Sequence, residues 1–124
     1  MGFSGTRGGM TAPQKASFAD LLRQLRPSQF HHGDCIGGDE DAHGLVLDSG
    51  LGTYIVVHPP DNPSRRAFVQ GAHEYREPYP YLERNRHIVD ETQHLVATPG
   101  GFDEEQRSGT ASPPPAVESE EIKW

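Results

Sequence analysis

At 124 residues the chain has room for one domain around one core, and its 33% apolar content is low for a globular protein. The net charge of −7 argues against broad contact with a DNA or RNA backbone, which calls for a basic face. A single cysteine, Cys35, excludes an internal disulfide and fits a reducing cytoplasm, no run approaches the roughly 18 apolar residues of a membrane span, and the N-terminus lacks the layout of a signal peptide.

MGFSGTRGGM predicts a very short strand that breaks at once into glycine. Thr11 and Gln14 then have the spacing of a capping box, with Pro13 tolerated in the first helical turn. Phe18, Leu21, Leu22 and Leu25 follow at i, i+3, i+4 and i+7 as one apolar stripe, and Pro27 ends the helix. Residues 29–32 are a second strand candidate, followed by the loop GDCIGGD. Asp39 is placed to cap a second helix in which Ala42, Leu45 and Val46 share a face, stopped by Gly50 and Gly52.

Residues 53–57 are β-branched and apolar without alternation, the pattern of a strand covered on both faces, and His58-Pro59-Pro60 terminates it. Residues 61–80 are rich in proline and charge, with one short helix expected near 65–70. Residues 81–91 predict a third helix with Leu82, Ile88 and Val89 facing inward, and 94–97 another buried strand. Helix-length crossovers between strands imply an α/β, Rossmann-like three-layer sandwich with a parallel sheet. Residues 111–124 carry Ser112-Pro113-Pro114-Pro115 and read as an acidic, flexible tail beyond a domain of residues 1–110.

Three of the strands are followed by glycines: Gly5, Gly8 and Gly9; Gly33, Gly37 and Gly38; Gly100 and Gly101. In a parallel sheet these turns share the carboxyl edge, where ligands bind in open α/β folds, and helix N-termini there favour phosphate. Asn85 lies three residues from Leu82 and from Ile88, hence on the inward stripe, with Arg84 and Arg86 flanking it in positions suited to phosphate contact. Ser108-Gly109-Thr110 is a further candidate anion turn. His31, His32, Asp34, Cys35, Asp39 and His43 match no zinc spacing, and adjacent His31 and His32 point to opposite faces of a strand, so no metal and no other cofactor is assigned. Cys35 reads as a small filler of a tight loop.

GFSGTRGGMTAPQ, FHHGDCIGGDEDAH, YIVVHPP, PYLERNRHIVDET and RSGT, in this order, resemble the SLOG superfamily over residues 1–110. The likeness is to its YspA-like (YAcAr-type) branch, with DprA and the LOG/lysine-decarboxylase-like phosphoribohydrolases as more distant relatives. The resemblance implies a nucleotide-derived ligand held by Gly5, Thr6 and Arg7, by Gly33, Asp34, Gly37 and Asp39, by Arg84, Asn85 and Arg86, and by Ser108, Gly109 and Thr110. It leaves two readings: a nucleotide-binding or sensing module without turnover, or a nucleoside-phosphate N-glycosidase or nucleotide hydrolase. The second would use Arg84 with Glu83, Glu104 or Glu105, although residues 102–106 depart from the PGGxGTxxE loop of the LOG-type enzymes. Relatives continue past RSGT into a helix and a strand, whereas this chain runs ASPPPAVESEEIKW. An open sheet edge is therefore expected, covered by a second subunit in a homo-oligomer or by the tail.

Overall fold

The computed structural model describes residues 1–98 and the backbone of 118–121. In chain order it runs β1 (Gly2–Ser4), α1 (Ala12–Leu25), β2 (Gln29–His32), α2 (Gly38–Asp48), β3 (Tyr54–Val57), a 3-10 turn (Pro63–Arg65), β4 (Glu74–Tyr75), α3 (Tyr81–Asp90), β5 (His94–Ala97) and β6 (Glu118–Glu121). The sheet order is β4-β3-β2-β1-β5-β6, with the first five strands parallel and β6 antiparallel to β5. This is the α/β Rossmann-like sandwich expected from the alternation of strands and helices.

The strand period sorts the two faces. Adjacent residues of a strand point to opposite sides, so Phe3 and Gly2 belong to different layers. Phe3 packs with Phe18 of α1 and Phe30 of β2 at ring separations of 5.4–6.0 Å, within a core that includes Ala42 and Val46 of α2. On the other side a Cβ at Gly2 would lie 3.0 Å from Ile88 and 2.9 Å from Thr92, so α3 rests directly on β1. β3 is buried from Ile55 to Val57, which is why its sequence lacks alternation.

The capping box of α1 forms as expected, Thr11 accepting from the Gln14 amide and Gln14 accepting from the Thr11 amide. Phe18 and Leu22 are buried, while Leu25, in the last turn, is exposed.

Other expectations need correction. Gly37, not Asp39, is the N-cap of α2, and the Asp39 carboxylate bonds the preceding loop instead. The helix expected at 65–70 is only the short 3-10 turn, because residues 65–69 hydrogen-bond to the loop after β2 rather than to one another. Leu82 is 79% exposed, and Asn85 is half-buried where the inward position was expected. Ile88 faces the sheet as expected and Val89 is half-buried, but one turn before Ile88 the buried residue is Arg84, not Leu82 or Asn85. Residues 118–121 of the tail, read as flexible, pair along β5 and cover its edge, one of the two coverings expected.

Candidate functional site

The turns after β1 and β2 interlock at the carboxyl edge. The Thr6 carbonyl accepts from the Gly9 amide at 3.1 Å and from the Gly38 amide at 2.7 Å. Gly37 adopts φ +106, and a Cβ there would stand 2.4 Å from the carbonyl oxygens of both Thr6 and Arg7. Only glycine meets both demands, which places the N-terminus of α2 against the first loop.

Arg84 joins these turns from α3. Its side chain is 4% exposed, and Nη1 lies where a Cβ of Gly33 would be, 1.4 Å from the ideal position. The same Nη1 approaches Asp39 Oδ2 at 3.9 Å and Cys35 Sγ at 3.5 Å, and the guanidinium sits 4.9 Å from the Tyr81 ring centroid. Asp39 Oδ2 also accepts from the Gly33 and Cys35 amides, both at 3.2 Å. Burial pushes the Asp39 carboxyl up to about 6 despite the opposing pull of Arg84 and of the surrounding amides, so it is ionised at neutral pH. Burial, reinforced by Asp39, raises the Cys35 thiol above its ordinary range, which suits a filler rather than a nucleophile.

The buried polar side-chain atoms without a hydrogen-bond partner among the described residues are Arg84 Nε, Asp39 Oδ1 and Thr98 Oγ1. All three belong to this edge: Thr98 directly follows β5, Asp39 is in the first turn of α2, and Arg84 covers Gly33. Native proteins leave few such groups, so their concentration here marks a place where polar chemistry is expected.

Asp34 organises the outer wall. It is fully buried with φ +54, and its carboxylate accepts from Arg66 Nε at 2.8 Å and the Val69 amide at 3.0 Å. Its own amide donates to His32 Nδ1 at 3.0 Å. An amide can only donate, so His32 must carry its proton on Nε2 and donate to His43 Nδ1 at 3.0 Å. His43 Nε2 then donates to the Gln70 carbonyl at 2.6 Å. The relay fixes each ring in one tautomer, and burial holds His32 well below the ordinary histidine range.

The structure thus brings together Gly5, Thr6, Arg7, Gly33, Asp34, Gly37, Asp39 and Arg84. Asn85 is half-buried beside them, while Glu83 and Arg86 are exposed, Arg86 lying two residues from Arg84 and so on another side of the helix. Glu104, Glu105, Ser108, Gly109 and Thr110 lie outside the described residues. The histidines and acids weighed for a metal separate onto different faces. His31 instead meets His58 and Glu91, a grouping that was not read from the sequence. Strand parity could have signalled it, since His31 and His58 fall on one face when β2 and β3 are aligned in parallel.

Among the described residues no helix is long and apolar enough to cross a membrane. No protein-family model, curated protein or solved structure matches this chain.

Proposed function

We propose that the chain binds a nucleotide or nucleotide-derived phosphate ligand at the carboxyl edge of its sheet, as a SLOG-like binding or sensing module of the cytoplasm. The observation that carries this reading is the buried Arg84 guanidinium, only loosely paired with Asp39 and left with an unpartnered Nε where two glycine turns and a helix N-terminus meet. Asp39 already takes the Gly33 and Cys35 amides, so those donors serve the protein itself. Within the turns, the amides of Thr6, Arg7, Gly8 and Gly37 make no backbone or side-chain hydrogen bond among the described residues, and they are the donors left for a phosphate. Arg84 supplies the nearby positive charge and Asp34, braced by Arg66, fixes the loop. Self-association, if part of this function, uses a surface other than the β5 edge, which β6 occupies.

A thermal-shift and calorimetry screen across nucleoside monophosphates, ADP-ribose and cyclic and linear dinucleotides tests the proposal. A true ligand at saturation raises stability by about 3 kcal/mol. Arg84→Ala should weaken it about tenfold or more, the worth of one charged hydrogen bond. No shift with any nucleotide, or equal affinity in the variant, refutes the reading. Chromatography of the same mixtures for released free base shows whether binding is followed by glycosidic cleavage.

A further inference from the structure

We propose that His31, His58 and Glu91 form a site for one divalent transition-metal ion of the imidazole-preferring kind, with Zn2+ as the type. The three ligand atoms lie within 4.8 Å of one another, on the α3 side of the sheet. They arrive from three separate elements. His31 is in β2, in register with Val56 of β3, and His58 follows two residues later on the same face. Glu91 caps the C-terminus of α3 and continues the stripe of Arg84 and Ile88 at i+7.

The two histidines are buried, with His31 Nδ1 2.8 Å from His58 Nε2. His31 Nε2 faces Gln29 Oε1 at 3.0 Å; that nitrogen therefore carries the hydrogen, and Nδ1 turns its lone pair toward His58. This is the arrangement by which a neighbouring acceptor fixes a ligating imidazole. In the metal-free protein His58 donates from Nε2 to His31. On coordination His58 moves to its other neutral tautomer, with the proton on Nδ1, so the ring remains uncharged.

The adjustment needed is small. Tetrahedral bonds of 2.0–2.1 Å to nitrogen set adjacent donors about 3.3 Å apart, so the imidazoles open by about half an ångström. Glu91 lies at a helix end with its side chain 34% exposed, and a turn of that side chain closes the remaining gap, one oxygen going to the ion while the other stays with Arg76. Arg76 grips both of its oxygens, at 2.8 and 3.1 Å, and also pairs with Glu74, which orients the carboxylate as an outer-shell partner does. A pair of imidazoles satisfying each other in a core needs no carboxylate; here one stands within reach of both rings. Three protein donors leave a coordination position open on the exposed Glu91 side for water or an exogenous ligand.

Untagged protein stripped with EDTA should be titrated with Zn2+ by calorimetry and with Co2+ by visible absorption. The expected result is one ion per chain and a tetrahedral-type Co2+ spectrum. Glu91→Gln, at an exposed helix end, should weaken binding about tenfold or more while leaving the metal-free fold unchanged by circular dichroism. His58→Gln should abolish it, and His94→Gln, on β5 and outside the cluster, should not affect it. A folded wild-type chain that gives no heat and no Co2+ spectrum overturns the proposal. So does binding equally unaffected by Glu91→Gln and His94→Gln, which would mean scattered surface histidines. If His58→Gln does not fold, Glu91→Gln alone decides.

Discussion

Arg84 shows how one residue can be both costly and informative. A buried guanidinium loses its hydration, and the recompense here is one carboxylate at 3.9 Å, a tyrosine face and a thiol. Gly33 makes this possible by having no side chain at all. Its backbone is not left-handed, so alanine would fit the chain conformation but not the occupied space. Gly33→Ala should therefore expel the guanidinium and leave Asp39 buried without its cation, at a cost of about 3 kcal/mol in urea unfolding. The Asp39 carboxyl, already at about 6, should titrate higher still when followed by carbon NMR, because burial persists while the opposing charge is gone. An unchanged unfolding midpoint would show that Arg84 does not depend on that space.

At the scale of elements, the sequence was most readable where a local rule coincides with burial. α1 carries a reciprocal cap and an apolar stripe, and both appear as expected. Thr11→Ala removes the hydroxyl that accepts from Gln14 and should destabilise the protein by about 1 kcal/mol, measured by thermal or urea unfolding. β3 and β5 were legible for the same reason, as short apolar runs followed closely by proline, and β2 was marked off by Pro27 and Gly33 on either side. The failures have distinct physical causes. The first turn of α3 was misread, Leu82 for Arg84, because a pattern counts arginine as polar, whereas Arg84 is buried through a partner 45 residues away in sequence. β4 has two residues, too few for any periodicity, and its pairing is set by β3. β6 is Glu-Ser-Glu-Glu, with no strand propensity, and its conformation comes from the ladder with β5. Of the candidate site, the two glycine turns and Arg84 were foreseen; Asp39 as an internal anion and the histidine relay behind Asp34 were not, since both depend on tertiary hydrogen bonds.

For the whole molecule, buried imidazoles dominate the response to acid. Burial lowers His31 and His32, and it takes His58 from 6.5 to about 4. The unfolded chain accepts protons on these rings near pH 6.5, and the folded chain accepts them only at lower pH. Their stabilising contribution is complete above 6.5 and is lost as pH falls from there toward 4. Asp39 acts in the opposite sense, its folded carboxyl protonating at about 6 rather than 3.8. Three imidazoles outweigh one carboxyl, so EDTA-treated protein should lose about 1.4 kcal/mol per pH unit for each net proton taken up on unfolding, between pH 6.5 and 4. Urea midpoints that hold constant or rise across that interval would contradict the assigned neutral rings. The antiparallel β6 bears on the molecule in another way. By lying along β5 it consumes the amides and carbonyls through which a neighbouring copy could have extended the sheet. The opposite border is β4, a ladder of two residues, too brief to seat a foreign strand securely. On the β5 side the margin moves to β6 itself, Glu-Ser-Glu-Glu, whose like charges would oppose one another in a second copy added there, so strand addition is disfavoured at both borders.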